Sequence, residues 1–117
     1  MSQKQVVITG MGAVTALGNS VEKFWDGLLS GRSGIRRITL FDPSQMPCQI
    51  AGEVPDFVAK DFMDRKLTRR VGRGAQLGLA SAVQAVADSG LGESMPDPER
   101  AAVIFGTAIG GLDNFVD

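Results

Sequence analysis

The stretch "DRKLTRRVGR" sets five cations, Arg65, Lys66, Arg69, Arg70 and Arg73, within nine residues. If Asp64 caps a helix here, Lys66, Arg69, Arg70 and Arg73 fall at i, i+3, i+4 and i+7 and share one face. That face is locally unfavourable, through like-charge neighbours and through positive charge at the positive end of the helix dipole. Two readings are open: a solvated helix end, or a patch that docks an acidic partner. For bond-making chemistry the chain offers less. It contains no histidine and one cysteine, Cys48 in "MPCQI". A Ser-His-Asp or Cys-His arrangement, an internal disulfide and a multi-cysteine metal site are therefore excluded within these residues. No cation stands near Cys48 in sequence to stabilise a thiolate, so it reads as structural or incidental.

Two glycine-rich turns are the other candidates. "GMGAVTALGN" follows a short apolar run, as a phosphate-binding loop would, but Thr15 occupies the third glycine position of a G-x-G-x-x-G fingerprint. The next helix begins too late, near Asn19, and no Lys-Ser or Lys-Thr pair follows. These glycines read as a tight exit from a buried strand, with no nucleotide expected. "GTAIGG", residues 106–111, sets Ile109 between small residues just past a second apolar run, where open α/β sheets take their ligands. Ile109 either lines an apolar pocket there or fills core.

The elements that must position these groups follow from periodicity. "QVVITG" reads as a core strand over residues 5–10, and "AAVIFG" over 101–106 repeats that signature. Val21, Phe24, Trp25, Leu28 and Leu29 form one apolar helical face, with Asn19 and Glu22 as a capping box and Gly31 just past the end. Residues 32–60, marked by Pro43, Pro47 and Pro55, read as an irregular excursion holding one short edge strand in "QIAGEV". Residues 64–89 read as one long helix stopped by Gly90, apolar almost all round and so expected to be covered on both sides. This order predicts an α/β fold with a largely parallel sheet. Two core strands and one amphipathic helix are too little to cover such a helix, so further layers are expected.

With 117 residues and a net charge of -1, the chain is one domain or part of one, and is not built to coat nucleic acid or an anionic membrane. There is no tyrosine, and no aromatic residue interleaves with the cations, which argues against nucleic acid. No apolar run is long enough to span a bilayer, and "MSQKQVV" lacks a signal peptide's basic and apolar regions, so a cytosolic location is expected.

Taken together, "VVITGMGAVTALGNSVEKFWDGLLSGRSGI", "FDPS", "DRKLTRR", "AVADSGL" and "GTAIGG" resemble, in order and along the whole chain, the N-terminal part of β-ketoacyl-acyl carrier protein synthases of the 3-oxoacyl-ACP synthase II type. The resemblance implies a thiolase-like fold of five layers, α-β-α-β-α, of which residues 1–117 supply the first strands and helices, in a homodimeric enzyme without cofactor or metal. It implies decarboxylative condensation of an enzyme-bound acyl group with malonyl-ACP in fatty acid synthesis. The family's nucleophilic cysteine and two histidines fall later in the chain than these residues, and Cys48 matches none of them. Lys66, Arg69 and Arg70 match the carrier-docking positions, with Arg65 and Arg73 beside them. Ile109 matches an isoleucine that lies against the acyl pocket. Gly72 and Gly74 stand where many relatives carry an acidic and an aromatic residue, and each glycine inside a helix should cost about 1 kcal/mol against alanine. The alternative is a non-catalytic carrier-binding module.

Overall fold

The computed structural model describes residues 4–92, 95–108 and 110–111. Helix α1 (Val21–Leu29) starts from Ser20, whose Oγ accepts from the Lys23 N–H at 3.3 Å. The cap thus lies one residue later than the expected Asn19. Asn19 is committed elsewhere: its Nδ2 donates to the Asp56 carbonyl at 3.0 Å, and its own carbonyl accepts from Gln84 Nε2 at 2.8 Å. The end of α1 is as the sequence predicts. Gly31 takes φ 64°, and the N–H groups of Gly31 and Arg32 donate to Leu28 and Gly27, closing a Schellman motif.

The excursion holds a minimal antiparallel ladder: β2 (Ile50–Ala51) lies inside the expected edge segment and pairs with β1 (Arg36–Arg37), a strand not expected. Glu53 fastens it. Its carboxylate, 8% exposed, accepts from the Thr39 and Leu40 N–H groups at 3.0 and 3.1 Å and from Thr39 Oγ1 at 2.8 Å. The Leu40 N–H, and after it the Thr39 hydroxyl, hold this carboxyl below the ordinary glutamate range.

Helix α2 (Arg65–Thr68) and helix α3 (Arg73–Ser89) replace the single helix expected over 64–89. Gly72, extended at φ -66° and ψ 166°, is the N-cap of α3, so only Gly74 of the two glycines sits inside a helix. The carbonyls that the break would leave open are satisfied by Gln76, whose Nε2 donates to Thr68 and Val71 at 2.9 Å each. Gly90, at φ 69°, ends α3 as expected.

The small core gathers where a 3-10 turn (Ala59–Asp61) packs on both α2 and α3. Phe57 and Met63 are buried there, the Phe57 and Phe62 rings stack at 5.7 Å, and the Arg73 guanidinium lies 5.0 Å from the Phe57 ring centre.

The glycines of "GMG" are used differently from the tight strand exit expected. A Cβ on Gly10 would overlap the Ala85 carbonyl, and one on Gly12 the Ser81 carbonyl, so the loop backbone lies directly on α3. The loop's amides are spent on the same helix: Met11 N–H donates to Asp88 Oδ2 at 2.9 Å, and Ala13 N–H to Gln84 Oε1 at 3.1 Å. They are not gathered around a phosphate-sized cradle.

Two strand expectations are not met. Residues 5–10 and 101–106 form no strand; Val6, Ile8, Val103 and Ile104 are 84–96% exposed. A β-branched run is buried by neighbouring strands and covering layers, and the described residues provide neither. For the same reason α3 is covered on one side only: Ala80 is fully buried, while Leu79, Val83 and Val86 face outward. The accessible surface is 9595 Å², more than half as much again as the roughly 6,100 Å² of a folded monomer of this length. The radius of gyration, 17.3 Å, likewise exceeds the roughly 13.4 Å of a compact domain. The largely parallel sheet expected from the sequence is thus absent among the described residues.

Candidate functional site

Asp64 builds the basic segment. Its Oδ1 accepts from the N–H groups of Lys66 and Leu67 at 2.7 and 2.8 Å, which fixes the first turn of α2. Arg65, Lys66, Arg69 and Arg70 are all exposed, and among the described residues none of them forms an ion pair. Because α2 ends at Thr68, Arg69 is its C-cap and Arg70 lies beyond it. Neither therefore lies in the first turn of a single long helix, as the sequence led one to expect. The like-charge crowding remains.

Arg73 departs from the expected face. It begins α3, donates through Nη2 to the Val54 carbonyl at 2.6 Å and covers the Phe57 ring. Its charge is engaged in joining α3 to the excursion. The structure therefore leaves Arg65, Lys66, Arg69 and Arg70 exposed and takes Arg73 out of that exposed set.

Next to this segment a cleft of about 490 Å³ opens along the first turns of α3. Ala75, Leu77 and Gly78 line its helical side, Val14 another, and Phe105, Thr107, Gly110 and Gly111 the side opposite. Thr107 Oγ1 accepts from the Gly110 N–H at 2.9 Å. Ile109 itself lies outside the described residues, as does the sequence after Gly111. Both flanks of its turn border the cleft.

Cys48 is exposed, with Sγ 3.5 Å from the Ile50 carbonyl. No cluster of three or more His, Cys, Asp or Glu side chains suited to a metal ion occurs among the described residues. No described helix is long and apolar enough to cross a membrane. Sequence reasoning overlooked Gln76, Gln84 and Asp88, which tie α3 to the basic segment and to the glycine loop. A signal was present: they are polar residues spaced by multiples of four along an otherwise apolar helix.

Comparison with known proteins places these features in a lineage. Residues 3–116 match the model of the β-ketoacyl synthase N-terminal domain. The chain is 41% identical over 112 residues to 3-oxoacyl-[acyl-carrier-protein] synthase 2 of Synechocystis sp., covering 96% of this chain and 27% of that protein. It is 44% identical over 112 residues to the protein of the same name from Coxiella burnetii, with the same coverage. It thus spans about a quarter of the length of these relatives. Among solved structures it is similar to the ishigamide ketosynthase/chain length factor, with TM-score 0.67 and 40% identity over 73% of this chain and 21% of that one. It is also similar to a β-ketoacyl synthase from Burkholderia phymatum, with TM-score 0.65 and 34% identity over 80% of this chain and 23% of that one. The chain belongs to the β-ketoacyl synthase family, within its N-terminal domain.

Proposed function

We propose that these residues are the N-terminal segment of a 3-oxoacyl-ACP synthase, which extends acyl chains by decarboxylative condensation with malonyl-ACP in fatty acid synthesis. The observation that carries this reading is the exposed cationic group Lys66, Arg69 and Arg70, held by the Asp64 cap beside an apolar cleft. It supplies an electrostatic landing site for an acidic carrier protein and, next to it, room for the acyl chain which that carrier delivers. Relatives at 41–44% identity carry the acyl carrier protein in their names. Ile109 matches the isoleucine of the family's turn and is assigned to substrate binding on that match alone.

The chemical step belongs to the remainder of the parent protein, because 117 residues without histidine hold none of the family's three catalytic groups. The uncovered apolar segments at 5–10 and 101–106 and the outer face of α3 are the surfaces on which the remaining layers of an α-β-α-β-α fold pack. The parent works as a homodimer in the cytosol.

The test is charge reversal of Lys66, Arg69 and Arg70 to glutamate in the full-length synthase. Three exposed pairs at about 0.5 kcal/mol each predict a rise in KM for acyl-ACP of roughly tenfold or more, with a weaker salt dependence and little change in kcat. Unchanged kinetics with the carrier protein would remove the docking role.

A further inference from the structure

Phe105 has an unusual seat. It is 64% exposed, yet the tip of its ring lies across Gly78 so closely that a Cβ there would overlap the ring's Cζ. Gly78 is in the interior of α3, where glycine is costly and a methyl group would ordinarily be an improvement. Here its missing side chain is what lets the ring settle against the helix. Phe105 and Gly78 both border the apolar cleft, and Phe105 lies two residues before Thr107, whose hydroxyl accepts from the Gly110 N–H.

We propose that Phe105 is a specificity-determining residue of the synthase. Its ring, seated on Gly78, forms the wall that sets how far an acyl chain extends into the cleft, and Gly78 sets the position of that wall. The proposal rests on the reading of the cleft as the acyl site. Removing the ring opens space for additional methylene groups, and adding a methyl at position 78 displaces the ring from the helix.

The experiment compares kcat/KM of the full-length enzyme across saturated acyl-ACP primers of increasing length, for Phe105→Ala, Phe105→Leu, Gly78→Ala and, as a reference, Ile109→Phe. Thermal unfolding identifies the variants that are folded. Because a single methylene in an apolar pocket is worth about tenfold or more in discrimination, Phe105→Ala should raise the ratio of long-chain to short-chain kcat/KM by at least about tenfold. Phe105→Leu should do so by less, and Gly78→Ala should also shift the profile. If Phe105→Ala is unfolded, Phe105→Leu and Gly78→Ala decide the matter. A profile moved by Ile109→Phe but unmoved by folded Phe105 and Gly78 variants overturns the role of Phe105 and leaves the acyl cleft standing. A profile unmoved by every variant overturns the acyl reading of the cleft, and the proposal with it. A shift with the Phe105 variants alone supports the proposal and takes Ile109 out of the wall.

Discussion

Glu53 shows how much one side chain holds in a segment with little regular structure. Three backbone or hydroxyl donors from Thr39 and Leu40 converge on its carboxylate, and together with the nearby Arg36 charge they outweigh the burial that would favour the neutral form. Because its pKa in the folded protein lies below the ordinary value, the stabilisation is complete above the unfolded-state pKa. It is lost as pH falls through the lower, folded value. In the full-length protein Glu53→Gln should therefore lower the melting temperature at neutral pH. The deficit should shrink as acid protonates the wild-type carboxyl. Melting curves of both proteins from pH 7 down to pH 3 test this, and a deficit constant across that range would show that the ion is not what matters. Nothing in "QIAGEVPD" marked Glu53, because its partners, the Thr39 and Leu40 amides and the Thr39 hydroxyl, lie fourteen and thirteen residues away. The cations at 65–70, by contrast, were legible from composition alone. Arg73 was misassigned to their group because a single helix was assumed where Gly72 starts a new one.

At the scale of the element, helices α1 and α3 were readable because caps and apolar period are local properties: Gly31 and Gly90 both take the left-handed turn their positions required. The break between α2 and α3 was not, since it depends on Gln76 reaching back to the Thr68 and Val71 carbonyls. The glycines separate into kinds that sequence cannot distinguish. Gly12 is pressed against the backbone of α3 at Ser81, whereas a Cβ on Gly74 would meet nothing within 4 Å. Gly12→Ala in the full-length protein should cost about 1–3 kcal/mol, the usual penalty of overpacking where backbone must move. Gly74→Ala should be neutral or stabilising by up to about 1 kcal/mol. Urea denaturation of the two variants checks the contrast. Equal effects would mean that the glycine loop does not rest on α3 as described.

For the molecule as a whole, the α/β expectation was drawn from two apolar runs, and the reason neither forms a strand here is that strands are a property of sheets. Pairing partners and covering layers must come from other residues, and the described ones leave Val6, Ile8, Val103 and Ile104 in water. The need for more layers was visible in the sequence, because a helix apolar nearly all round has to be buried on every side; their arrangement was not. This makes a prediction for residues 1–117 produced alone. A surface of 9595 Å² rich in unpaired β-branched side chains should bind a hydrophobic dye, associate with rising concentration, and unfold in urea with a shallow slope. That slope should fall below the roughly 1–3 kcal/mol/M of a small cooperative domain. The fragment should show no condensing activity, since it has no histidine, and should bind acyl carrier protein more weakly than the full-length enzyme, because the basic segment rests on a core that, among the described residues, buries few apolar side chains beyond Phe57, Met63 and Ala80. A steep, cooperative transition with carrier affinity equal to the full-length protein's would argue the opposite: that the two apolar runs bury one another in solution and that these residues are a self-contained binding module.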